Sequence, residues 1–174
     1  MVKKSQAAME FIMTYSWAII ISIIVIGVLA AWGLLNYEQL VPSRCIGAVN
    51  LPCIKKPVLM VNEDIGKSRF SFIARNPMPE KLMLDTIEAS GTDSCNILDA
   101  TVEIDNVKSD ITGVLIEQGR EFIINVYCAN AIHDISKHEF TLKYHGLNEE
   151  FSKSSSFDII AKPFAGTEAE VALP

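Results

Sequence analysis

Catalytic signatures are absent from this sequence. It contains no His-Glu-x-x-His, no Gly-x-Ser-x-Gly, no glycine-rich phosphate loop and no Cys-x-x-Cys. Those absences remove the commonest zinc-hydrolase, serine-hydrolase, nucleotide-binding and dithiol chemistries. Histidine is scarce, at three residues. His133 and His138 stand five apart, the wrong offset for one helix face, and His145 closes an outward strand face. All three read as solvated side chains on loops and strand edges. No lysine- or arginine-rich run occurs, and 15 basic against 21 acidic residues leave a net charge of −6, which argues against a nucleic-acid partner. No cofactor or metal is implied, and the chain does not read as an enzyme. No asparagine stands two residues before a serine or threonine, so asparagine-linked glycans are not expected.

A second absence says more. From Phe11 to Tyr37 there is no charged residue, and no proline comes before Pro42. A helix over Phe11 to Leu35 would be roughly 37 Å long at 1.5 Å per residue, more than the roughly 30 Å of a bilayer's hydrocarbon core. Lys3 and Lys4 precede the run and Glu38 follows it. The positive-inside bias therefore keeps the N-terminus cytoplasmic and places the chain beyond about residue 38 outside. All four cysteines lie in that outer part, which fits an exported, disulfide-bonded domain.

Three readings of the run compete. It could be a permanent single-pass anchor. It could be a secretory signal with Val28-Leu29-Ala30 as cleavage site, although such h-regions normally hold about 7–15 residues. Or cleavage falls before the run, which then stays in the product. The stretch KKSQAAMEFIMTYSWAII resembles the class III signal of archaeal type IV pilins, whose mature chains read Q-x-x-x-E-F-x-M-T-Y-G-W-A-I. Gln6, Glu10, Phe11, Met13, Thr14, Tyr15, Trp17, Ala18 and Ile19 match that pattern. Ser5 and Ser16 replace the family's usual glycines, small for small. The resemblance implies a leader over residues 1–5, with Lys3, Lys4, Ser5 and Gln6 forming the cleavage site. A prepilin peptidase would cut between Ser5 and Gln6.

Glu10 then acquires a purpose. A carboxylate at a helix centre in lipid costs roughly 2.5–3.5 kcal/mol on insertion scales, so it needs the interface or a partner. Cleavage before Gln6 would create an α-amino group with a typical pKa of roughly 7.7–8.0, and Glu10 of one subunit could neutralise the amine of its neighbour. Two local alternatives remain open at this point: favourable placement against the helix dipole, and closure onto Gln6 at i,i+4 within one chain. Phe11 belongs with Glu10 in the assembly region. Ala18 with Ser22, and Gly27 with Ala31, form small-xxx-small pairs that allow close helix packing.

Beyond the run, residues 42–56 read as a linker with turn chemistry at Pro42, Gly47 and Pro52. Residues 57–174 read as strands. Phe70 and Phe72 alternate with Ser71; Phe122, Ile124, Val126 and Cys128 share one face; Phe140, Leu142 and Tyr144 alternate with polar neighbours. KLMLDTIEAS, ATVEIDNV, GVLIEQ and SSSFDIIAKP are further candidate strands, with turns at Asn76-Pro77, Ser90-Gly91, Gln118-Gly119 and His145-Gly146-Leu147-Asn148. The predicted fold class is α+β: a long N-terminal hydrophobic helix (6–41) followed by an antiparallel β-sandwich of immunoglobulin-like type.

Four cysteines allow three pairings. Cys45 and Cys53 bracket a short turn-rich loop and are expected to bond to each other, leaving Cys95 with Cys128 to join two strands. The functional expectation is a structural subunit that polymerises through its helix into a pilus-like filament for surface adhesion. Its partners are identical or related pilin subunits, the peptidase, and the membrane before assembly, and its place is the cell surface. The competing expectation is a membrane-tethered extracellular binding domain that does not polymerise.

Overall fold

The N-terminal run folds as one α-helix, α1 (Lys3–Leu35). The computed structural model describes residues 3–35, 41–90, 95–133, 135, 137–149 and 151–167, and in the first of these the side chains at Met9, Met13 and 15–32. Valine and isoleucine are indifferent helix formers in water, but an uninterrupted apolar stretch without proline keeps every interior backbone bond within the segment. The helix starts ahead of Gln6, so its backbone includes three residues of the expected leader. It is described as far as Leu35; residues 36–40 of the predicted helix lie outside the described residues, and Val41, where the helix was expected to end, is a bend and not helical. The chain divides into two compact units, 1–41 and 42–174.

The second unit is β-rich. Its strands are β1 (Arg44–Gly47), β2 (Val58–Asn62), β3 (Lys67–Arg75), β4 (Leu82–Ser90), β5 (Ile97–Ile104), β6 (Val107–Asp110), β7 (Leu115–Ile116), β8 (Glu121–Cys128), β9 (Lys137–Gly146), β10 (Lys153–Ile160) and β11 (Pro163–Ala165). One sheet has the order β1-β10-β9-β4-β7 and the other β11-β2-β3-β8-β5-β6. All pairings are antiparallel except β11 with β2.

Period-two alternation places the core. Phe70 and Phe72 of β3 meet Phe140 of β9 and Phe157 of β10 across the two sheets, with ring centroids 5.2 Å apart for Phe70–Phe140 and 5.1 Å for Phe72–Phe157. Leu59, Ile124, Val126, Leu142 and Ile159 complete the layer, each fully buried. Burying a side chain of this size contributes about 1.5–3 kcal/mol, and a well-oriented aromatic pair about 0.5–1.5 more.

The segment read as a linker is part of this domain. Arg44–Gly47 pairs with β10 as an edge strand, and Leu51 is fully buried in the core. Cys53 forms a bridge to Ala74 of β3, and the Cys45–Cys53 disulfide closes the loop. The loop thus ties the edge of one sheet to the middle of the other. Turn residues were a poor guide here, because a strand of four residues carries too little alternation to outweigh nearby proline and glycine. The second disulfide is Cys95–Cys128, with Cα atoms 5.1 Å apart, joining a residue two positions before β5 to the last residue of β8.

ATVEIDNV is not one strand. The chain reverses at Asp105 and Asn106, whose φ angles are +51° and +66°, and Ile104 pairs with Val107 across the turn. Two successive residues with positive φ make a type I′-like hairpin, a conformation that aspartate and asparagine tolerate. Asn76 is also more than a turn residue. It is fully buried, its amide donates to the carbonyls of Glu80 and Ile116, and its Oδ1 accepts from the Met78 amide.

Candidate functional site

The chemistry anticipated from the sequence concentrates on α1. At 33 residues it is about 50 Å long at 1.5 Å per residue. The segment Tyr15–Trp32 is long and apolar enough to cross a membrane, and none of it is buried within the chain. Trp17 is 64% exposed and Trp32 70%, with isoleucines, valines and leucines presented on every side between them. A helix apolar all round is one made for lipid or for other helices.

Two serine hydroxyls of the described part are satisfied within the helix. Ser22 Oγ donates to the Ala18 carbonyl at 2.8 Å, and Ser16 Oγ donates to the Met13 carbonyl at 3.3 Å. Such i−3 and i−4 bonds let hydroxyls enter an apolar medium without stranding a donor. Gly27 leaves open space where a Cβ would project. At about 100° per residue, the Ala18–Ser22 and Gly27–Ala31 pairs lie about 180° apart around the helix. The two small-residue pairs therefore lie on opposite faces of the helix.

Lys3, Lys4, Ser5, Gln6, Glu10 and Phe11 all lie on the helical backbone, while their side chains lie outside the described residues. One consequence follows from position alone. Glu10 stands seven residues beyond Lys3, roughly 10 Å along the axis, and the first turn holds no acid. The dipole's influence fades within that turn. In the uncut chain Glu10 is thus too deep to benefit; removing residues 1–5 would bring it to the edge of the first turn.

The histidines divide. His133 is exposed, with Nδ1 3.9 Å from Glu63, and His145 lies 2.9 Å from Asp85. His138 departs from the solvated reading: it is 2% exposed and its ring packs on Phe70 at 4.9 Å. It falls on the inward side of β9 with Phe140, Leu142 and Tyr144, a placement that the KHEFTLKYH alternation already implied. Among the described residues, no group of three or more His, Cys, Asp or Glu side chains could hold a metal ion. A cleft beside β11 is lined by Val61, Asn62, Glu63, Asp64, His133 and Phe164 among others. The Asn62 amide is already bonded there to the Gly166 carbonyl.

On the domain surface, carboxylates are paired with lysines. Lys81 reaches Glu117 at 3.0 Å, and Lys153 reaches Glu149 at 2.7 Å. The hydrogen bond from Lys81 holds the Glu117 carboxyl below its usual range, and that from Lys153 does the same for Glu149 while raising the lysine. These are solvated pairs that order a surface, not a catalytic dyad.

No protein-family model matches the chain, and no curated protein matches it. Among solved structures, a crystal structure of the yeast GGA1 GAE domain aligns at 12% identity over 64% of this chain and 92% of that chain, with a TM-score of 0.35. Similarity at that level bears on neither the fold nor the function of this chain.

Proposed function

We infer that the chain is a non-enzymatic pilin: a subunit that a prepilin peptidase trims and that polymerises through α1 into a type IV pilus-like filament for surface adhesion. The observation that carries this reading is the ordered N-terminal sequence KKSQAAMEFIMTYSWAII, which couples a basic leader, a polar cut site and an acid to an apolar span. The helical backbone over Lys3–Leu35 supports it. So do the two opposite small-residue faces, since a helix packed between neighbours needs two close contacts and a helix dimer needs one. The domain is read as an immunoglobulin-like sandwich, supported by two facing sheets with one shared core, and it would form the filament's outer surface. Glu10 would meet the α-amino group of a neighbouring Gln6 and set the stagger between subunits.

The N-terminus of native material tests this. Mass spectrometry finding Gln6 as the first residue supports the pilin reading. Met1 retained would favour a membrane-tethered binding domain, and Ala31 first would mean a secreted one.

A further inference from the structure

The outer face of the six-stranded sheet carries a row of side chains that nothing above uses. Strand register places Phe164, Met60, Arg69 and Tyr127 side by side across β11, β2, β3 and β8. Phe164 is 68% exposed and nearby Val58 42%, whereas Tyr127 is sunk flush at 2%. Arg69 is partly buried. Its Nη2 donates to the Met60 thioether at 3.0 Å, a weak acceptor, and its buried Nε has no partner. Lys67 stands two residues away on the same face of β3, about 7 Å along the strand. Neither cation forms an ion pair with a described residue. A guanidinium drawn partly out of water without a carboxylate is costly. Arginine, tyrosine, phenylalanine and methionine are also the residues enriched at the centres of protein interfaces.

The same domain presents a complementary surface elsewhere. Phe151, between β9 and β10, is 83% exposed and Leu147 52%, and Glu149 lies between them in sequence. Phe151 and Phe164 are the exposed aromatic side chains among the described residues of the domain. Phe151 lies two residues from a carboxylate that holds Lys153 in a solvent-exposed pair, and Phe164 lies in register with Arg69, which has no ion pair among the described residues. Building on the filament reading, we propose that Leu147, Glu149 and Phe151 of one copy dock on the Val58, Met60, Arg69 and Phe164 face of the next, with Glu149 exchanging its weak solvated pair with Lys153 for the partly buried Arg69. The two patches differ, so the contact is heterologous, the kind that builds an open filament when its rotation does not close into a ring.

The test is site-specific photo-cross-linking of the full-length chain in membranes and sheared surface material. Phe151 is replaced by p-benzoylphenylalanine, and an epitope-tagged copy is co-expressed to identify adducts between chains. The expected result is intermolecular adducts on the peptides carrying Met60 or Phe164, reduced at least tenfold by Arg69→Glu and by Phe164→Ser but retained in Arg69→Lys. Intact Cys45–Cys53 and Cys95–Cys128 bonds confirm folding of each variant. Adducts on other surfaces, or a yield indifferent to Arg69→Glu and Phe164→Ser, would overturn the contact. Electron microscopy of the same cells separates the two ideas. Filaments with adducts elsewhere reject this contact and leave the filament reading standing, whereas the expected adducts without filaments support the contact and reject that reading.

Discussion

Gly47 is held by space, not by a special backbone angle. A Cβ there would lie 2.4 Å from the Leu51 carbonyl oxygen and 2.8 Å from the Cys53 amide nitrogen, both backbone atoms of the disulfide loop that cannot swing aside. Gly47→Ala should therefore cost about 2 kcal/mol or more, read as a lowered urea midpoint of the detergent-solubilised chain. Tyr144 presents the opposite case. Its hydroxyl is buried and, among the described residues, has no hydrogen-bond partner. Tyr144→Phe removes that polar group while keeping the ring, so stability should rise by about 1 kcal/mol; a drop would show that the hydroxyl is satisfied. Glu149 supplies a pH-dependent contribution. Its carboxyl titrates below the ordinary range because Lys153 donates to it. The stabilisation is present above the unfolded-state pKa and is lost as pH falls through the lower folded value, and its solvent exposure keeps it small. In an NMR titration, Lys153→Ala should move the Glu149 midpoint upward; an unmoved midpoint would contradict the pairing.

At the level of elements, legibility followed alternation. Long strands whose inward apolar residues recur at every second position, such as REFIINVYC and KHEFTLKYH, are found where the sequence places them, as β8 and β9. β1, β6 and β11 have three or four residues, too few to hold a period, and the run ATVEIDNV continued through the turn only to the first residue of β6. Strand β2, VLMVN, was passed over beside the turn-rich segment, although its burial alternates at first. The disulfide pairing was legible because the Cys45–Cys53 loop spans only 8 residues. The buried His138 could have been read from its place on the inward side of β9; treating histidine as a solvated type obscured it. The chain-entropy model assigns about 2.6 kcal/mol to the short loop and about 3.8 to the long one. Replacing both cysteines of the Cys95–Cys128 pair by alanine should thus lower the denaturation midpoint more than replacing Cys45 and Cys53. The reverse order would mean that joining the two sheets matters more than loop length.

For the whole molecule, sequence and fold contribute different parts of the account. The apolar helix itself was legible because its signal is contiguous: no charge from Phe11 to Tyr37 and no proline before Pro42, and the site proposed on it is likewise read from one continuous stretch. The row of Phe164, Met60, Arg69 and Tyr127 was not, since those residues come from four strands and meet only through register. The central claim is that α1 drives polymerisation and that Glu10 serves a neighbour's amine. Glu10→Ala keeps the leader, the span and a strong helix former, so the chain should still insert and be trimmed. The decisive measurement is electron microscopy of sheared surface fractions from cells producing Glu10→Ala, alongside a membrane fractionation that confirms trimmed subunit. The account predicts trimmed chain accumulating in the membrane with few or no filaments; filaments in normal number and length would contradict it.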